Sequence, residues 1–268
     1  MTSLGYIARL FSSEFVRRFW MVVRYPVDYL AGVIILYLLF FGIFTGVSAN
    51  MGGAPGLDST IDGMVIGAAM WLFTIAVFNQ IRVVLEMEAM AGTLEQLFLA
   101  PVRFVNLMLV RSVVGYFYSL VATAILLFLI MATTGRWLSF DVLPALLVVT
   151  LAMVGVHGAA LILGGLQLVF KRLGQLNTIA QFGFLFLAFP PVEKLSPLWQ
   201  TIAYSFPLAR GMTLLRGLVV EGWTLGGAEA QANLLSLAFN SAVYFALGTL
   251  FYLLCERIAK EQGMLGHY

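Results

Sequence analysis

Residues 27–47 read VDYLAGVIILYLLFFGIFTGV, and this stretch decides the class of fold. Apart from Asp28 it carries no charged residue. A helix rises 1.5 Å per residue, so about 20 apolar residues are needed to cross a hydrocarbon core about 30 Å thick. The stretch therefore predicts a transmembrane helix.

Five further stretches have a similar character, and their predicted bounds are 61–80, 105–133, 142–168, 173–189 and 234–255. The stretch at 173–189 is short for a crossing, because Pro190 and Pro191 end it. None of the six shows the two-residue alternation of a membrane β-strand. The sequence predicts an all-α polytopic membrane protein, a single transmembrane domain over residues 1–268 with six spans.

The composition excludes a soluble globular domain. Hydrophobic residues make up 61% of the 268 and charged residues only 10%, and the mean hydropathy is +0.96. Soluble domains carry about 25% charged residues. The net charge of +2 is too small to indicate a nucleic-acid partner. The single cysteine, Cys255, excludes an internal disulfide, and no removable signal peptide is expected at the N-terminus.

The lysines and arginines predict the orientation, because they accumulate on the cytoplasmic side of a membrane protein. With the N-terminus inside, the outside holds only four of the 15 Lys and Arg residues: Arg136, Lys194, Arg210 and Arg216. We therefore expect both termini to be cytoplasmic. Arg111, about six residues into the third span, is expected to extend its side chain to the cytoplasmic headgroups.

Three segments are predicted not to span. Residues 4–24 form a basic amphipathic pattern typical of a helix that lies in the headgroup layer. Residues 190–220 contain four prolines, which favours two short helices, 198–204 and 208–219, that re-enter the membrane from outside. A pair of full crossings there is the alternative. Residues 86–100 predict an amphipathic cytoplasmic helix with an acidic face, stopped by Pro101.

No catalytic or metal-binding group is visible in the sequence. Neither histidine, His157 or His267, has a Cys, Asp or Glu partner at ligand spacing. The chain contains no GxxxxGK[ST] motif, so it is not expected to bind ATP through a P-loop. Its acidic residues lie at the ends of the predicted spans, which disfavours an ion-coupled carrier.

Polar uncharged residues recur at helical spacing in two spans. In the fifth span they include Asn177, Thr178 and Gln181, and the fourth span offers His157, Gly158, Gly164, Gly165 and Gln167. Contact between helices is the favoured interpretation, and lining of a translocation pathway is the alternative. The first span adds two aromatic residues that could line such a pathway, Tyr37 and Phe41.

Three sequence blocks together resemble one family. The block from Glu86 to Pro101 reads E-x-E-x-x-x-G-T-L-E-Q-L-x-x-x-P, and a second reads PPVEKLSPLWQTIAYSFPLARGMTLLRG from Pro190. The third is the tail CERIAKEQGMLGHY. These blocks resemble the membrane subunits of type-2 ATP-binding-cassette exporters, which include the daunorubicin, nodulation-factor and polysaccharide exporters.

The resemblance implies a permease subunit, not an enzyme, that pairs with a second copy of itself and with two copies of a separate ATPase. ATP and Mg²⁺ would be bound by that ATPase, and this chain would need no cofactor. The membrane would be the bacterial inner membrane. The first-loop helix would be the coupling helix, with contacts at Glu86, Glu88, Gly92, Thr93, Glu95 and Gln96. The re-entrant segment would form an extracellular gate that includes Pro190, Pro191, Glu193 and Pro197.

The resemblance leaves the cargo open. The first span lacks the tryptophan common in polysaccharide exporters, which favours a drug, lipid or glycolipid, with polysaccharide as an alternative. A stand-alone channel or an ion-coupled carrier is the alternative from another class of protein.

Overall fold

The computed structural model describes residues 3–51, 57–93, 96–97, 104–135, 137–138, 140–171 and 173–262. Within these ranges the chain is helical and contains no β-strand. A short 3₁₀ turn at Val192–Lys194 precedes the short helix Pro197–Tyr204. These helices are α1 (Ser3–Arg24), α2 (Pro26–Met51), α3 (Leu57–Met90), α4 (Phe104–Thr134), α5 (Val142–Phe170), α6 (Gly174–Ala188), α7 (Pro197–Tyr204), α8 (Pro207–Val219) and α9 (Ala228–Glu261).

Five helices, α2, α3, α4, α5 and α9, are long and apolar enough to cross a membrane. The chain is therefore a multi-pass helical membrane protein. The remaining predicted span, 173–189, corresponds to α6. Its 15 residues extend about 22 Å, which is less than the thickness of the hydrocarbon core, about 30 Å.

Helices α3 and α4 are antiparallel, since Arg111 near the start of α4 reaches Glu88 near the end of α3. Helix α5 ends at the same end as α3, since Gly164 lies beside Ile81. Helix α9 runs parallel to α5, because Gly158 lies beside Tyr244 and Gly165 beside Tyr252, and the bundle therefore has two ends.

We name the end with the last turn of α3 the Glu88 end, and the end where α9 begins the Trp223 end. Helix α6 runs antiparallel to α3, because Asn177 bonds to Asn79 while Ala188 lies beside Gly67. Helix α1 lies at the Glu88 end because Glu14 bonds to Arg111. The last turns of α9 lie there because α9 runs parallel to α5.

Glycines bring α5 and α9 into backbone contact. A Cβ atom added at Gly248 would collide with the backbone of Gly158, and one added at Gly158 would collide with the backbone of Tyr244. At Gly165 the added atom would lie 3.1 Å from the Cα atom of Tyr252. The glycines of α5 therefore serve helix packing, the favoured interpretation from the sequence. Helix α5 also packs against α3 and α8, which makes it the centre of the bundle.

The segment between α6 and α9 enters and leaves at the same end. Pro191 and Glu221, near its two limits, line one cavity at the Trp223 end. Between α7 and α8 the Tyr204 carbonyl accepts a hydrogen bond of 2.9 Å from Asn240. Asn240 lies 12 residues after the start of α9, about 18 Å along that helix. The prolines act as predicted, since Pro197 and Pro207 begin α7 and α8.

The packing of α5 on α9 predicts opposite effects for two glycine substitutions. Gly158→Ala should destabilise the protein by about 1–3 kcal/mol or more, because the added methyl group meets backbone atoms that cannot rotate away. Gly183→Ala in α6 is the matched control, since its added Cβ has no atom within 4 Å and alanine favours the helix by up to about 1 kcal/mol. Thermal unfolding of both variants in detergent measures the difference. Equal melting temperatures would contradict the close contact of α5 and α9.

Candidate functional site at the Glu88 end

Arg111 joins three helices through two carboxylates. Its Nε atom donates to Glu14 Oε1 at 3.0 Å, and its Nη1 atom donates to Glu88 Oε1 at 2.7 Å. The side chains of Arg111 and Glu14 are each only 10% exposed, and that of Glu88 is 18% exposed. Arg17 adds a second positive charge, with its Nε atom 2.8 Å from Glu14 Oε2. Carboxylates from α1 and α3 hold the Arg111 side chain inside the bundle, and its expected reach to the headgroups stays a prediction.

The end of α3 is fixed by a Schellman turn next to this ion cluster. Gly92 has a φ of +67°, a conformation in which a residue without Cβ is favoured. Its N–H donates to the Ala89 carbonyl at 3.1 Å, and the N–H of Thr93 donates to the Glu88 carbonyl at 3.0 Å. The Thr93 hydroxyl also donates to the Glu88 carboxylate. Glu88 therefore connects the turn at Thr93 to Arg111.

The predicted single helix over residues 86–100 is wrong at its beginning. Residues up to Met90 continue α3, and residues 91–93 form the turn. Of the predicted apolar face, Met87 and Met90 before the turn are 50% and 82% exposed, whereas Leu97 after it packs against the core. Gln96 is exposed, and Glu95 lies outside the described residues.

A second polar chain leads from Glu86 into the bundle. Arg82 Nη1 lies 2.6 Å from both carboxylate oxygens of Glu86, and Arg82 Nε lies 3.4 Å from Asn79 Oδ1. The same Asn79 oxygen accepts hydrogen bonds from Asn177 at 2.9 Å and Gln181 at 3.1 Å. The Asn79 side-chain oxygen thus connects α6 to the last turns of α3.

The residues predicted to line a pathway differ in their burial and in their contacts. Asn177 is buried, with 5% exposure, and it faces α3 together with Gln181. Thr178 is exposed, and its hydroxyl donates to the Gly174 carbonyl of its own helix. On α2, Tyr37 and Phe41 stack with ring centres 5.9 Å apart. Asn177 and Gln181 therefore make contacts between helices.

The predicted gate residues gather around Glu193 at the Trp223 end. Its carboxylate accepts hydrogen bonds from Thr213 at 2.7 Å and Tyr204 at 3.0 Å. Burial is the largest single influence and raises the pKa of Glu193. A backbone hydrogen bond, these two hydroxyls and the charge of Arg216 together outweigh it, so the pKa lies below its usual value of 4.5. Pro190 and Pro191 follow the end of α6, and Arg216 donates to the Ala188 carbonyl at 2.9 Å.

Sequence reasoning missed Glu14, Asn79, Arg82 and Thr213. One signal was present, because Glu14 is the only acidic residue among the first 24. A lone carboxylate in a basic amphipathic helix is a candidate partner for an arginine on another helix. Nothing local identifies Asn79, whose partners are about 100 positions away.

Comparison with protein-family models finds no match, and comparison with curated proteins finds no significant match.

The ion cluster predicts a large loss of stability when Arg111 is replaced. Arg111→Met leaves the carboxylates of Glu14 and Glu88 without their shared cation, which typically costs about 3–5 kcal/mol for a buried pair. Arg257→Met is the matched control, because Arg257 and its partner Glu261 are 77% and 61% exposed and such pairs contribute about 0–1 kcal/mol. Thermal unfolding in detergent compares them. Adding Glu14→Gln and Glu88→Gln to Arg111→Met should recover part of the loss; no recovery would contradict a charge effect.

The Glu193 cluster predicts a pH dependence of known sign. The pKa of Glu193 is lower in the folded protein than the usual 4.5, so its contribution to stability is present above that value and is lost as the pH falls through the folded pKa. Glu193→Gln should therefore lower the melting temperature near neutral pH and flatten its decline in acid. Thr213→Val should flatten the decline partly. Thr201→Val, whose hydroxyl bonds only within α7, should leave it unchanged. An unchanged acid decline in Glu193→Gln would contradict the lowered pKa.

Proposed function

We propose that this chain is the membrane subunit of an ATP-binding-cassette exporter. Two copies would form the translocation pathway, and a separate ATPase would bind the loop after α3. The observation that carries the proposal is the linkage of that loop through Glu88 and Arg111 to α1 and α4. The sequence resemblance supports it independently, since the block that resembles the family's coupling segment includes this turn.

The ion cluster offers a direct route for a mechanical signal. A displacement of the turn would move Thr93, which is bonded to both the carbonyl and the carboxylate of Glu88. Glu88 would carry the displacement to Arg111, and Arg111 to Glu14. Because these groups are largely buried, separating their charges is costly, and the three helices would move together. ATP hydrolysis itself would take place in the partner chain.

The hydrogen bonds of Asn79 would transmit a displacement from the end of α3 to α6. Helix α6 contacts α3 and α8 and leaves an apolar face exposed at Ile179, Phe182 and Phe186. Such a helix can shift against the bundle, and Asn79 would couple its position to the end of α3. The exposed faces of α2 and α6 are our candidates for the contact between two copies and for the walls along which an amphiphilic drug, lipid or glycolipid would pass.

At the other end we propose that residues 190–220 close the pathway. The prediction from Lys and Arg places the Glu88 end in the cytoplasm and the Trp223 end outside. The depth of the link between α7 and α8 supports a re-entrant segment. Glu193 would hold the segment together through Tyr204 and Thr213.

Co-purification tests the proposal. The full chain is expressed together with the genes that flank its own, solubilised in a mild detergent and purified through a tag on this chain alone. We expect a second chain with a GxxxxGK[ST] motif in the purified complex, together with ATP hydrolysis. Consistent recovery of this chain alone would overturn the proposal in favour of a channel or carrier.

A charge reversal in the loop then tests the contact. Glu95→Arg should reduce the retained ATPase and the ATP hydrolysis per complex, since an acidic surface is replaced by a basic one. Glu261→Arg, at the same end of the bundle but on α9, serves as the control for the change in charge. Equal retention in the two variants would remove the loop from the interface.

A further inference from the structure

A cavity of about 140 Å³ lies between α1, α3 and α4 beside the ion cluster, and we name it the α1 cavity. One water needs roughly 10–15 Å³ of such space, so the cavity has room for a group of several heavy atoms. The polar part of its lining consists of Glu14, Arg17, Arg18, Asn79, Gln80, Glu88, Arg111 and Ser112.

The charges of the lining favour an anion. Three guanidinium groups face two carboxylates, which leaves one positive charge in excess. Glu14 and Glu88 are already paired with Arg111, and Glu14 is also paired with Arg17. The third cation, Arg18, takes part in none of these ion pairs. An anionic group in the cavity would complete the balance of charge.

Two polar atoms of the lining residues have no hydrogen-bond partner. The Nε atom of Arg18 is a donor, the Oε1 atom of Gln80 is an acceptor, and both are buried. A buried polar atom without a partner is unfavourable. A ligand that fits both must offer an acceptor to Arg18 and a donor to Gln80. A phosphate ester with a neighbouring hydroxyl has this combination.

The position of the cavity matches the headgroup layer. Helix α4 has 31 residues, about 46 Å, so about 8 Å would extend beyond each side of a 30 Å core. Arg111 is seven residues into α4, about 10 Å from its start, which places it near the boundary of headgroups and acyl chains. Helix α1 leaves Ile7, Phe19 and Trp20 exposed beside this region, as expected for a helix in the lipid interface.

We propose that the α1 cavity binds the headgroup of an anionic phospholipid, whose phosphate accepts a hydrogen bond from Arg18 and whose hydroxyl donates one to Gln80. Phosphatidylglycerol has both groups. The bound lipid connects α1 to α3 next to the Arg111 ion cluster. This site does not depend on the exporter function, because a channel with the same α1 would bind the same lipid.

Lipid-dependent melting of the detergent-solubilised full chain tests the site, with native mass spectrometry to count bound lipids. Phosphatidylglycerol should raise the melting temperature and remain bound, whereas phosphatidylcholine and inorganic phosphate at equal concentration should not. If inorganic phosphate alone reproduces the full shift, the ligand is a free anion and the lipid site is refuted. An equal shift with phosphatidylcholine would also refute it, since neither a net negative charge nor a headgroup hydroxyl would then be needed.

Arg18→Gln should weaken phosphatidylglycerol binding by about tenfold or more, the effect of losing one charge-assisted hydrogen bond. Arg24→Gln removes the same charge from the same helix outside the cavity and should retain the affinity. If Arg18→Gln does not fold, Arg18→Lys keeps the charge without the Nε donor and should still bind more weakly. Wild-type affinity in a folded Arg18 variant overturns the proposal.

Phosphatidylmethanol tests the hydroxyl, because it retains the phosphate diester and has no headgroup hydroxyl. The wild-type chain should bind it more weakly than phosphatidylglycerol, and Gln80→Leu should bind the two lipids equally. Equal binding of both lipids by the wild-type chain would overturn the role of Gln80.

Discussion

The pairing of Arg111 with Glu14 and Glu88 is the interaction on which the Glu88 end depends. A largely buried guanidinium is tolerated only when carboxylates lie within hydrogen-bond distance, and here they come from two different helices. The requirement restricts how α1, α3 and α4 can be placed relative to one another. The same pairing joins the turn at Gly92, helix α1 and the first turns of α4 into one electrostatic unit.

Beyond this unit the bundle has a tightly packed part and a more open part. Helices α5 and α9 touch through glycine, so their backbones have little freedom to separate without losing contacts. Helix α2 buries only 6% of its most apolar window within the chain. Exposure of apolar side chains has little cost in lipid, so α2 is free to face acyl chains or another helix. In this more open part, at α2, internal packing opposes movement and assembly least.

Sequence patterns predicted the helices well and their contacts poorly. Hydropathy located the five helices long enough to cross a membrane, and the prolines located the starts of α7 and α8, because both depend on properties of adjacent residues. The end of α3 differs from the prediction because the apolar periodicity of the sequence continues past Gly92, and periodicity alone does not register a turn. Met87 and Met90 belong to that periodic pattern and are nevertheless exposed. The sequence does not identify the partner of Asn177, because Asn79 lies 98 positions away along the chain.

The sequence by itself determined that this chain is a helical membrane protein and approximately where its helices lie. Backbone N–H and C=O groups in hydrocarbon must form hydrogen bonds within their own segment. A long apolar run therefore forms a helix wherever it occurs in this chain. Only the tertiary structure decided the pairing of Arg111 with Glu14, which is 97 positions away, and with Glu88. The rotation of each helix about its axis selects such partners, and that rotation is set by the packing of all the helices together.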